Sequence, residues 1–243
     1  MGSEITADSS DGITIQILIN LVELSVDAAF KRMMSLAKSM LDDALLAIKE
    51  GNEELAKEVI NSDDDVDRFG FYITRQLAIA IENEHMLKEM GFDNARDCLG
   101  YRVVVKNVER LGDHAVRLSQ DVLDYKTPIQ GKNFDRIQEM SSYAISVMDD
   151  ACLALFKKDY DQAEKSIESA DKIQKYEKRI LDNLKTSKVG RLKTEENFFI
   201  DEEEIFRIRK IVENVKRVAE YASDIGEIVL NMNIEKILKK PEM

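Results

Sequence analysis

The chain has no tryptophan, two prolines, ten glycines and two cysteines in 243 residues. So few proline and glycine residues leave little to interrupt a helix, which favours long helices over a turn-rich β fold. Cys98 and Cys152 stand far apart and do not make a disulfide framework. They point to a reducing, cytoplasmic setting in which both thiols pack as small apolar groups. No apolar run approaches about 20 residues, so no segment is expected to span or insert into a membrane. The N-terminus lacks a basic region followed by an apolar one, so no signal peptide is expected. No glycine-rich phosphate loop is present, which argues against a nucleotide site. Positive charge is in deficit, 35 Lys and Arg against 47 Asp and Glu, for a net charge of −12. An acidic surface repels a phosphate backbone, so the chain by itself is expected not to bind nucleic acid directly. The same charge attracts metal cations or a basic partner.

What is present is helical and repetitive. Residues 1–20 form a short β-prone extension, with Asp11-Gly12 as a turn signal between Ile- and Thr-rich runs, as in a small hairpin. From about Leu21 the chain reads as helix, with expected helices at 21–50, 53–90, 94–124, 132–157, 159–188 and 202–238. "INSDDDVDRFGFYI" (60–73) aligns with "IESADKIQKYEKRI" (167–180), and "NVERLGDHA" (107–115) with "NVKRVAEYA" (214–222). Both pairs are 107 residues apart, as are Met33 and Met140. One gapless shift across three helical segments marks a duplication. The expected fold class is therefore all-α: a tandem repeat of two antiparallel three-helix bundles, at 21–128 and 129–243. Gly51-Asn52 breaks the first helix pair. The linker between copies is "DYKTPIQGKN" (124–133), and residues 190–203 form a second connection. Val104, Val108, Leu111, Ala115, Leu118 and Val122 step by four and three and make one apolar stripe.

Polar residues interrupt that pattern. Glu109 and Asp113 lie four apart on one helical face, beside Gly112, where a small residue lets another helix approach. Asp63 and Asp67 form a second pair, on or next to the inward stripe of Val59, Val66, Ile73 and Leu77. Two such pairs on adjacent helices bring four carboxylates together, and a bound cation relieves their repulsion. All-oxygen ligands suit a hard ion. The plainer alternatives are an acidic helix start at Asp63–Asp65, a Glu109 paired with Arg102 or Lys106, and a packed or capping His114.

"NVERLGDHAVRLSQD" resembles the signature of the PhoU family, and "DDDVDRFGFYITRQL" and "RVAEYASDIGEI" are similar to its other conserved helices. The resemblance covers about residues 21–238 and is greatest to archaeal members. In those an AbrB-like DNA-binding segment often comes first, whereas here only the β-prone stretch precedes. It implies a duplicated three-helix bundle that binds divalent metal (iron, Mn or Mg) through pairs of D/E-x-x-x-D motifs. It also implies a regulator of phosphate uptake that acts with a phosphate ABC transporter or a phosphate-signalling protein. Carried over by position, the motif gives Asp63, Asp67, Glu109 and Asp113 as metal ligands in the first copy. The same positions in the second copy are Ala170, Gln174, Lys216 and Glu220. Glu220 and the out-of-register Asp224 are the second copy's candidate ligands, and Lys216 is placed to neutralise Glu220.

Two other readings are open to the residues. A di-iron carboxylate enzyme on a helical bundle needs two Glu-x-x-His motifs, and the chain offers only Glu82-x-x-His85. A metal-free scaffold or dimerisation bundle is the other. The expectation is a non-enzymatic regulator, with a homodimer as one possible assembly.

Overall fold

The computed structural model describes residues 3–9, 12–17, 24–189 and 202–238. A two-stranded antiparallel hairpin comes first, β1 (Ser3–Ser9) against β2 (Gly12–Ile17), with Ser9 opposite Gly12. Eight described α-helices follow: α1 (Val26–Glu50), α2 (Glu53–Glu82), α3 (Glu84–Glu89), α4 (Ala95–Tyr125), α5 (Gly131–Lys157), α6 (Tyr160–Asp171), α7 (Ile173–Val189) and α8 (Glu202–Leu238). Most of the connection expected at 190–203 lies outside the described residues. Among the described residues no helix is long and apolar enough to cross a membrane.

Helix ends follow local chemistry. The Ser25 side chain accepts from the Ala28 amide, so α1 opens at Val26, later than the periodicity implied. Gly51 closes α1 at φ 67°, a left-handed conformation that suits glycine, and the Asn52 side chain caps α2 at the Leu55 amide. The helices expected at 53–90 and 159–188 are each divided. At Asn83 the backbone turns extended (φ −140°, ψ 111°) and the side chain accepts from the His85 and Met86 amides, which starts α3. At Lys172 the break is gentler, and the chain leaves α6 and enters α7 within one residue.

α1, α2 and α4 pack together as one three-helix bundle, and α5, α6–α7 and α8 as the other. The stripe read from the sequence lies in the first core: Val104, Val108, Leu111, Ala115, Leu118 and Val122 are all buried. The shift between Ile60 and Ile167, 107 residues, also separates the starts of α2 and α6 and of α4 and α8, and the ends of α1 and α5.

The bundles join along α4 and α8, which run antiparallel. His114 meets Asn214 and Tyr221, Asp121 meets Arg207, and Gly100 sits under Ile228 and Met232. The duplication is visible in this list. His114 and Tyr221 are equivalent residues of the two copies, so the interface has a pseudo-two-fold axis at that hydrogen bond. Away from the axis the two ends differ. At one, Arg207 donates to Asp121 at 2.9 Å and to the Thr127 carbonyl at 2.8 Å, and lies over the Tyr125 ring. At the other, the equivalents of Arg207, Asp121 and Tyr125 are Gly100, Ile228 and Met232, and the contact is apolar. A Cβ added to Gly100 would stand 2.7 Å from the Met232 sulfur, so only glycine allows this approach without a shift.

Candidate metal centre between α2 and α4

The site is built by two helices crossing at a glycine. Gly112 of α4 packs on α2, where an added Cβ would meet Asp63 Oδ1 at 3.0 Å and Val66 at 3.5 Å. This close approach brings the pairs Asp63/Asp67 and Glu109/Asp113 to the same crossing. On the other side Gly70 of α2 lies near Glu109 Oε2. All four carboxylates are half-buried, while Asp64 and Asp65 point to solvent and Asp65 pairs with Arg68. The acidic run therefore divides by helical phase: its first and last members face the crossing, and the middle two do not.

The electrostatics follow from that placement. Burial raises Asp63 to a pKa of about 6, helped by the charges of Asp113, Asp67 and Glu109. Burial, followed by Glu109 and Asp113, also raises Asp67. Asp63 Oδ1 is buried with no hydrogen-bond partner. Glu109 is in ion-pair contact with Lys106, as one sequence alternative held. Among the described residues no three His, Cys, Asp or Glu side chains stand as a complete ligand group. The four carboxylates converge without closing on one point, and Lys106 draws Glu109 aside. An all-oxygen set with an orphaned buried acceptor and mutual repulsion fits a hard cation.

The second copy does not fit one. Ala170 is buried and Gln174 exposed at the positions of Asp63 and Asp67. Lys216 does not pair with Glu220, contrary to the sequence expectation. Its ammonium lies 3.0 Å from Glu177, which stands at the position of Gly70, and Glu220 pairs with Arg217 at 2.6 Å. Hydrogen bonding to Glu177 raises the Lys216 pKa. Asp224 is exposed and lies outside the contact of Lys216 with Glu177. The local charges are inverted between copies: Lys106 and Glu109 in one, Glu213 and Lys216 in the other. An ammonium on a tether thus sits where the first copy gathers carboxylates. Glu177 escaped the sequence reading, although the shift that aligns Lys216 with Glu109 also aligns Glu177 with Gly70.

The two histidines serve elsewhere. His114 is buried between the repeats. The Asn214 amide nitrogen donates to the Lys210 carbonyl, so its oxygen accepts from His114 Nδ1, and the Tyr221 hydroxyl donates to Nε2. Burial lowers the His114 pKa and favours this neutral form. His85 is exposed and pairs with Glu89, and the break at Asn83 separates it from Glu82 on α2. The di-iron motif thus loses its helical spacing.

These features define a duplicated three-helix bundle with an acidic crossing in one repeat. A family model described as "PhoU domain" matches residues 30–122 and 137–229, two spans again 107 residues apart. The chain belongs to the PhoU family. It is 24% identical over 209 residues to a phosphate-specific transport system accessory protein PhoU homolog of Borreliella burgdorferi, covering 82% of this chain and 87% of that protein. A protein of the same description from Aquifex aeolicus is 27% identical over 142 residues, 58% of this chain and 62% of its own length. The crystal structure of PhoU from Pseudomonas aeruginosa superposes with a TM-score of 0.69 at 18% identity, over 86% of this chain and 96% of that one, a likeness of fold.

Proposed function

We propose that this chain is a non-enzymatic regulator of phosphate uptake and phosphate signalling. In this reading it works in the cytoplasm as an accessory to a phosphate ABC transporter or its signalling proteins. The observation that carries the reading is the family match over both repeats, together with relatives described as phosphate-specific transport accessory proteins. We further propose that the first repeat binds one or more divalent cations (iron, Mn or Mg) through Asp63, Asp67, Glu109 and Asp113, and that the second repeat does not.

The physical case is electrostatic. Four partly desolvated carboxylates at one crossing destabilise the metal-free fold, and a cation offsets their repulsion. Binding to the native state stabilises it with the logarithm of ligand concentration over Kd. Asp63 and Asp67 hold the ion from α2, while Glu109 and Asp113 hold it from α4 once Glu109 leaves Lys106. The ion supplies charge neutralisation, and the side chains supply the link between the two helices.

Metal content and thermal shift of the purified chain with Mg, Mn and ferrous iron test this reading. Bound metal and a raised Tm are expected, both lost in Glu109→Ala/Asp113→Ala and kept in Glu220→Ala/Asp224→Ala. Equal loss in the two variants contradicts the asymmetry, and no metal with any ion contradicts the site. The transport role is tested separately, by capturing phosphate-transporter subunits on the chain from phosphate-replete cells.

A further inference from the structure

An ammonium stands at the helix crossing of each repeat, and the two repeats place it differently. In the first, Lys106 is in ion-pair contact with Glu109, three residues further along α4. In the second, Lys216 reaches from α8 to Glu177 of α7 at 3.0 Å. Lys216 holds the position of Glu109 and Glu213 that of Lys106, so carboxylate and ammonium have changed places along the helix. The second arrangement ties two helices together with a matched pair. The first sets one ammonium against four carboxylates. Among the described residues Asp63, Asp67 and Asp113 are in no ion pair, and Asp63 Oδ1 is buried without a hydrogen-bond partner. The Lys106 charge also acts on Asp67 of the facing helix, against the burial and the Glu109 and Asp113 charges there. The Lys106 side chain is 40% exposed, so a way out to solvent is open to it, whereas that of Lys216 is 23% exposed.

We propose that Lys106 is the resident counter-ion of the first crossing and sets its charge selectivity: sodium and potassium do not displace it, and divalent cations do. The inference rests on the metal reading of these carboxylates and adds the residue that decides which ions enter. The argument is one of charge and tether. A monovalent ion brings no more charge than the ammonium it would replace. It also arrives from dilute solution, whereas Lys106 is held on the same helix and loses only side-chain freedom on pairing. A divalent ion brings twice the charge, so at equal distance its attraction to each carboxylate is doubled. It also engages Asp63, Asp67 and Asp113, which an ammonium on Glu109 leaves unpaired. The flexible four-carbon stem of lysine lets the ammonium swing out to water as Glu109 turns to the ion. The second repeat does not offer this exchange. With Ala170 and Gln174 at the positions of Asp63 and Asp67, a divalent ion gains too few carboxylates there to replace Lys216.

The test compares the full chain with Lys106→Met and Arg110→Met. Arg110 follows Glu109 in the chain but bonds to Asn107 and lies over the Tyr221 ring, so its replacement removes an equal charge without removing an ion pair to the four carboxylates. In a calorimetric titration with Mn, Lys106→Met is expected to bind more tightly than the wild type. The gain is on the order of fivefold, the scale of a partly exposed ion pair that no longer has to break. Arg110→Met is expected to change Kd by less than about twofold, because a screened charge without contact counts for little. Sodium chloride is expected to raise the Tm of Lys106→Met above its value in tetramethylammonium chloride of equal ionic strength, whose cation is too bulky to enter. The wild type is expected to show no such difference. Bound Mn is expected to speed acetylation of Lys106 in the wild type by an N-hydroxysuccinimide ester, read by peptide mass spectrometry, and to leave Lys216 unchanged. Equal Mn affinity of the wild type and Lys106→Met overturns this inference and leaves the metal reading standing. So does Lys106 acetylation indifferent to bound Mn, or a sodium effect already present in the wild type. No Mn bound by either chain overturns both.

Discussion

His114 Nε2 accepts from the Tyr221 hydroxyl at 2.9 Å, and the two residues hold equivalent places in the two repeats. A duplicated position thus bonds to its own duplicate, one as acceptor and one as donor. His114→Ala leaves the Tyr221 hydroxyl and the Asn214 oxygen without this partner in a partly buried seam. The expected cost is about 1–3 kcal/mol, the range for unsatisfied buried polar groups. Tyr221→Phe removes only the donor to Nε2 and is expected to cost less. Urea denaturation of both variants checks the order.

Asp121 and Arg207 are 0% and 2% exposed. Removing one partner of a buried pair strands the other charge, so Asp121→Ala is expected to cost about 3–5 kcal/mol. Replacing both, as Asp121→Leu/Arg207→Met, is expected to cost less than the single change, because the other end of the same seam is already apolar. A single variant milder than the double one, by denaturant midpoint, contradicts this account.

The proposed metal asymmetry has a constructive test. Ala170→Asp, Gln174→Asp, Lys216→Glu and Glu177→Gly together give the second repeat four carboxylates at the equivalent positions, with Glu220 standing where the first has Asp113. The combined variant is expected to take up more metal than the wild-type chain by elemental analysis. Chelation is expected to lower the Tm of the combined variant further than that of the wild type. Unchanged metal content would show that the first site depends on more than these positions.

Burial pushes the Cys98 thiol up to about 11 and the Cys152 thiol up to about 12. Both are expected to resist iodoacetamide at pH 8 until the chain unfolds, because the thiolate is the nucleophile. The stability consequence has a definite sign. A pKa raised in the folded state leaves stability intact below the unfolded value, near 8.5, and erodes it as pH rises towards 11–12. Cys98→Ala/Cys152→Ala is expected to flatten that alkaline decline in a series of melting curves.

Much of this was legible in the residues. The stripe from Val104 to Val122 gave the buried face of α4, because helical period and burial are the same fact seen twice. The constant shift gave the two bundles and, through Gly112, the crossing of α2 and α4. The breaks at Asn83 and Lys172 were not legible, since neither site carries a glycine or proline and each break depends on local hydrogen bonding. Nor was the seam. Arg207 sits in "EIFRIRKIV", where a basic residue among Ile and Phe reads as an exposed helical position. Only the packing of α8 on α4 sets it against Asp121. Lys216 was expected to reach Glu220 one turn away, and it instead pairs across helices with Glu177.

The seam of α4 and α8 also bears on how such a molecule diversifies. In a homodimer of single bundles every substitution appears twice, so each contact must tolerate its own mirror. Joining the copies through residues 126–130 lifts that constraint. Asp121 can face Arg207 while Ile228 faces Gly100, and one repeat can gather carboxylates while the other carries a lysine. Covalent fusion has turned a self-complementary contact into two halves free to specialise.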